Sequence, residues 1–170
     1  MKFYSGFSLK GEEKLFDSFL ISSDFCISGF SYGCIKAVEY ALGTDERIDK
    51  IQLFSPAFFN DKDDKFKRLQ LMFYSKDKQT YIENFLQNVT YPSSKDLSIY
   101  MNEGTYDELH ELLYYEWDKS KIITLLKNGI IIEVYLGEVD KIINSKLANE
   151  FFKSCGCEVY FIKSYGHILQ

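Results

Sequence analysis

The sequence is poor in structure breakers and in the residues that carry metal or redox chemistry. Two prolines and ten glycines in 170 residues exclude a proline-rich linker or a collagen-like chain. A hydrophobic content of 46%, with 15 phenylalanines and 13 tyrosines, excludes intrinsic disorder. Positive charge is also short: 20 lysines and arginines face 25 acids, and the net charge of −5 argues against a broad nucleic-acid or anionic-lipid surface. No apolar run nears the roughly 20 residues of a bilayer span, and the opening Met1-Lys2-Phe3-Tyr4-Ser5-Gly6 lacks the apolar stretch of a secretion signal, so a cytoplasmic protein is expected. The four cysteines, Cys26, Cys34, Cys155 and Cys157, have no zinc-ligand spacing; free, mostly buried thiols and no cofactor are expected. Histidine is scarce too, and any imidazole chemistry must use His110 or His167.

What is present is enough apolar surface for one domain of this length. Five β-rich runs, Lys2–Tyr4, Asp24–Ser28, Lys50–Phe54, Ile130–Leu136 and Glu158–Ile162, are mostly separated by stretches of helical periodicity. This alternation predicts an α/β architecture with a parallel sheet under covering helices. Leu15, Phe16, Phe19 and Leu20 predict a helix between Lys10 and Leu20, and Ile35, Val38 and Leu42 another over Tyr32–Leu42. From about residue 60 to 128 the rhythm changes. A charge run, Asp61-Lys62-Asp63-Asp64-Lys65, leads into candidate helices at Asp64–Tyr74, Lys78–Gln87, Thr105–Tyr115 and Asp118–Leu126, which read as a helical insertion able to form a lid.

The chemistry concentrates in Gly29-Phe30-Ser31-Tyr32-Gly33, where an apolar strand passes through Gly-x-Ser-x-Gly into a helix. Side chains at Gly29 or Gly33 would collide with neighbouring backbone in so sharp a turn. The turn pushes the Ser31 hydroxyl into the open and aims the Tyr32 N–H at a reacting carbonyl. A serine needs a base, and His167, in Tyr165-Gly166-His167 after the last strand, is placed for it. His110, inside Glu108-Leu109-His110-Glu111-Leu112, reads as a solvent-facing helical residue. The loop Gly137-Glu138-Val139-Asp140 supplies two acids to orient the imidazole, with Asp140 preferred and Glu138 the alternative. A second oxyanion donor is expected at the Phe7 N–H, in Tyr4-Ser5-Gly6-Phe7-Ser8.

Ser-Gly-Phe-Ser at Ser5–Ser8, Gly-Phe-Ser-Tyr-Gly at Gly29–Gly33, Phe-Ser-Pro-Ala at Phe54–Ala57, Gly-Glu-Val-Asp at Gly137–Asp140 and Gly-His at Gly166–His167 resemble an α/β-hydrolase over almost the whole length, in the order nucleophile, acid, base. With Ile35-Lys36-Ala37-Val38-Glu39-Tyr40 and Phe66-Lys67-Arg68-Leu69-Gln70-Leu71, the chain is similar to the small pimeloyl-ACP methyl ester esterases of biotin synthesis. The resemblance implies a truncated α/β-hydrolase fold, mainly parallel, with a helical lid. It implies hydrolysis of the methyl ester of pimeloyl-acyl-carrier protein to pimeloyl-ACP and methanol, with Ser31 as nucleophile, His167 as base and Asp140 as orienting acid. The basic cluster Lys65, Lys67 and Arg68 is the expected docking point for an acidic carrier protein. Phe58, Phe59, Met72, Phe73, Tyr114, Tyr115 and Trp117 are candidates to line an acyl channel. The strands that usually precede the oxyanion loop are missing, which leaves one sheet edge open to self-association as a homo-oligomer. Two other readings use the same scaffold: a general carboxylesterase or acyl thioesterase, and a non-catalytic acyl- or protein-binding module.

Overall fold

The computed structural model describes residues 2–170; Met1 lies outside it. Five parallel strands, β1 (Lys2–Tyr4), β2 (Cys26–Phe30), β3 (Lys50–Phe54), β4 (Ile131–Gly137) and β5 (Glu158–Ile162), lie side by side in chain order. The bounds of β1, β3 and β5 are those expected from sequence. β2 sits two residues later than the expected Asp24–Ser28, because Gly29 and Phe30 still pair with Leu53 and Phe54 of β3. All five residues of β2 are buried, as expected of an inner strand covered on both faces.

Alternation along the strands makes two cores. On one face Ile27, Ile51, Leu53, Ile132, Val134 and Leu136 pack under α1 (Tyr32–Gly43), α5 (Lys119–Lys127) and α6 (Ser145–Cys155). On the other, Phe30, Phe54 and Tyr135 are covered by the β1–β2 connection and the C-terminal Ile168 and Leu169. Phe16, fully buried, stacks against Phe54 at 4.7 Å and lies 4.9 Å from Phe30, and burying such a side chain contributes about 2–3 kcal/mol. The β1–β2 connection therefore has the opposite hand to the other crossovers, since the strands progress in one direction and the connection lies on the other face. The helix expected over Lys10–Leu20 is reduced to a 3₁₀ turn at Glu12–Phe16. Gln52 accounts for its early end: the amide accepts from the Ile21 N–H and donates to the Phe19 carbonyl, both at 2.9 Å, so these groups leave the helical ladder.

Between β3 and β4 run α2 (Asp64–Lys76), α3 (Lys78–Thr90), a 3₁₀ turn at Ser98–Tyr100, α4 (Tyr106–Tyr114) and then α5. Their starts are written in the sequence: the side chains of Asp63, Asp77, Thr105 and Asp118 each accept an N–H of the first turn, and Glu108 completes a capping box with Thr105. The expected insertion thus ends in a helix of a different kind, because α5 packs between α1 and α6 as an ordinary covering helix of the sheet. α6, which the strand and helix patterns did not single out, ends at Gly156 in the left-handed conformation. Among the described residues no helix is long and apolar enough to cross a membrane.

Candidate active site

The turn at Ser31 is built by close backbone approach. Ser31 has φ 51° and ψ −113°, and it is held from both sides by its N–H donating to the Phe54 carbonyl at 2.9 Å and its carbonyl accepting from Ala57 at 3.2 Å. A Cβ on Gly29 would strike the Gly33 carbonyl, and one on Gly33 would strike the carbonyls of Tyr4 and Ser5. Glycine at both positions is what lets α1 start directly above β1 and β2.

Three loops at the carboxyl ends of the strands bring Ser31, His167 and Asp140 together. The Ser31 Oγ lies 2.9 Å from His167 Nε2, and His167 Nδ1 lies 2.6 Å from Asp140 Oδ2. The second carboxylate oxygen of Asp140 accepts from the N–H groups of Ile142 at 2.7 Å and Ile143 at 3.2 Å. Those bonds fix the carboxylate, which fixes Nδ1 as the protonated ring nitrogen and leaves Nε2 as an acceptor for the serine hydroxyl. The imidazole is wholly buried, 5.2 Å from the Phe30 ring, and Ile168 and Leu169 anchor the chain beyond it. Of the two acids in the β4 loop, Asp140 makes the contact; Glu138 accepts from the Ser164 N–H at 3.3 Å, on the exposed side. His110 is exposed on α4 and stacks on Tyr114 at 4.5 Å.

Tyr32 and Phe7 sit beside this chain, at the start of α1 and in the loop after β1, and both are buried. The Phe7 N–H donates to none of the described residues. The Tyr32 ring is held by its hydroxyl, which donates to Glu111 of α4 at 2.5 Å; burial and that carboxylate push the phenol up. The cysteines offer no competing nucleophile: burial raises the Cys34 thiol well above its ordinary range and pushes Cys157 up to about 12.

The expected docking cluster does not hold as a unit. Lys65 and Arg68 are exposed on α2, but Lys67 is buried, with its ammonium 5.2 Å from the Tyr114 ring, and its position one helical step away turns it into the α4 interface. The expected channel residues also divide. Phe59 and Phe73 line a cavity of about 680 Å³ among α2, α3 and α4, whereas Phe58 and Trp117 are core and Met72 is exposed. The cavity's other apolar walls include Phe66, Phe85, Leu113 and Ile142. Ser31 does not line it and is 4% exposed, so the cavity abuts the site without opening onto it. Phe85 meets the Phe7 ring edge-on at 5.7 Å, and Ile142 carries one of the N–H groups on Asp140.

No protein-family model matches the sequence, and no curated protein matches it either. Solved structures do match. Over 84% of this chain and 59% of that one, the chain superposes on an esterase from Exiguobacterium antarcticum with a TM-score of 0.66 at 14% identity. It matches Est816, described as an N-acyl homoserine lactone degrading enzyme, with a TM-score of 0.69 at 13% identity over 98% of this chain and 85% of that one. MenH from S. aureus matches with a TM-score of 0.57 at 12% identity, over 99% and 87%. The chain thus has the α/β-hydrolase fold, in a small five-stranded form that spans 59% and 54% of the lengths of the first two matching structures.

Proposed function

We propose that the chain is a serine-dependent carboxylic-ester hydrolase. The observation that carries this reading is the hydrogen-bonded chain from Ser31 through His167 to Asp140 at the strand rim. In the reaction His167 Nε2 takes the Ser31 proton as Oγ attacks the acyl carbon, and Asp140 stabilises the imidazolium that results. The N–H groups of Phe7 and Tyr32 receive the developing oxyanion, each worth about 10²–10³ in rate. His167 then returns the proton to the departing alcohol. The same ring activates a water that releases the acid from the acyl-enzyme.

The substrate we propose is the methyl ester of pimeloyl-acyl-carrier protein, with α2–α4 as the lid and the carrier protein as partner. Support comes from the motif resemblance and from the cavity among α2, α3 and α4, large enough for a medium acyl chain, whose walls combine phenylalanines and leucines with polar groups such as Gln70, Asn84 and Asn88. Lys65 and Arg68 remain as the basic contacts, and Arg68 is shared with Asp64 at 3.5 Å. Self-association belongs to the same proposal, through β1, three residues long at the sheet edge. A general carboxylesterase is the second reading, favoured by structural matches that include carboxylesterases from Bacillus subtilis.

A fluorophosphonate that labels the protein but spares Ser31→Ala is the expected result; equal labelling of both removes the serine mechanism. Rates on the carrier-bound pimeloyl methyl ester and on a free short ester then separate the substrates. Cleavage of the free ester alone sinks the carrier-bound assignment.

A further inference from the structure

Glu12 is a carboxylate where water does not reach: the residue has no exposure, Oε1 accepts from the Gly6 N–H at 2.6 Å, and Oε2 has no partner. An acid half satisfied in the interior costs free energy, so its retention calls for a role that its geometry fills. Burial pushes its carboxyl up, opposed by the Gly6 N–H. The group it holds is the start of the oxyanion loop. Gly6 is gripped at both ends, because its carbonyl accepts from the Leu9 N–H at 3.2 Å. In a trans peptide the N–H points opposite the carbonyl, so holding the Gly6 carbonyl sets the direction of the Phe7 N–H, and Glu12, through the Gly6 N–H, holds the peptide just before it. The Phe30 ring blocks any shift of Gly6 toward β2: a Cβ there would lie 2.9 Å from it.

We propose that Glu12 is a positioning residue, whose buried carboxylate clamps Gly6 so that the Phe7 N–H is aimed at the oxyanion before substrate arrives. This rests on the hydrolase reading above. Beyond Gly6 the loop is tied to the 98–102 segment, where the Ser8 carbonyl accepts from the Asn102 N–H at 2.9 Å, but Ser8 itself has φ 57° and its hydroxyl is buried without a partner. Preorganisation of this kind acts on the transition state and leaves ground-state binding unchanged.

The test compares Glu12→Asp, Glu12→Gln and wild type for kcat and KM on p-nitrophenyl butyrate, with melting temperature measured in parallel. Glu12→Asp withdraws the acceptor by one methylene, and kcat is expected to fall by about 10- to 100-fold with KM nearly unchanged. Glu12→Gln keeps an acceptor oxygen and is expected to restore most of kcat. Wild-type kcat in a folded Glu12→Asp variant would overturn the inference, as would a Glu12→Gln loss equal to that of Glu12→Asp. Wild-type protein inert to both the ester and a fluorophosphonate would instead overturn the hydrolase reading, and with it the role given to Glu12.

Discussion

Beyond the carboxyl ends of β1, β2, β3 and β5 the chain holds Ser8, Ser31, Ser55 and Ser164 at positive φ, whereas no non-glycine residue described between Asp64 and Lys127 is so strained. Such conformations cost about 1–3 kcal/mol each. Among the described residues, three of the five buried side-chain polar atoms without partners lie at the same rim or next to it, the hydroxyls of Ser8 and Ser55 and one oxygen of Glu12, while those of Ser28 in β2 and Asn149 in α6 lie elsewhere. The inserted helices follow the reverse pattern, with ordinary backbone and caps that each contribute about 1 kcal/mol. Strain and unsatisfied groups thus collect where side chains must be held against their preferences, and the lid region is assembled from self-sufficient local pieces.

The sharpest way to break this contrast is to exchange histidines. His167→Ala at the rim is expected to lower kcat/KM by about 10⁴-fold or more. His110→Ala on the lid should leave it within about twofold, since that exposed ring only stacks on Tyr114. Equal losses would dissolve the distinction. In the β4 loop, Asp140→Asn is expected to lower kcat by about 10²–10⁴-fold by favouring the wrong tautomer. Glu138→Gln, which faces the Ser164 N–H, should change little in the same kinetic assay.

Stability sharpens the comparison at a lower magnitude. Gly33→Ala drives a Cβ into the Tyr4 carbonyl and is expected to cost about 3 kcal/mol or more, read from urea midpoints. Gly43→Ala, at the end of the same helix with nothing within 4 Å, should be neutral or slightly stabilising. The smallest effect expected is a pH dependence seated away from both regions, in the sheet. Burial alone would raise the Glu133 carboxyl, but its ion pair with Lys50 and hydrogen bonds from Tyr135 and Gln52 outweigh that and hold it below its ordinary value of 4.5. The unfolded chain then binds the proton more readily than the native one. Glu133 thus contributes stability that is complete above pH 4.5 and is lost as the pH falls through the lower native value. Melting temperature against pH should slope less in this window for Glu133→Gln than for wild type.

Local pattern fixed a great deal of this protein. The bounds of β1, β3 and β5 followed from β-rich apolar runs and those of β2 and β4 to within two residues, the helix starts from Asp63, Asp77, Thr105 and Asp118, and the turn at Ser31 from two glycines that tolerate no Cβ. Each is legible because its cause lies within a few residues. Only the folded chain could decide what depends on contacts distant in sequence. It chose between Asp140 and Glu138 by which reached an imidazole 27 residues on, turned Lys67 inward against Tyr114, and cut short the helix after Lys10 through Gln52. Periodicity states which face of an element is apolar; it does not state which polar group will be waiting when that face docks.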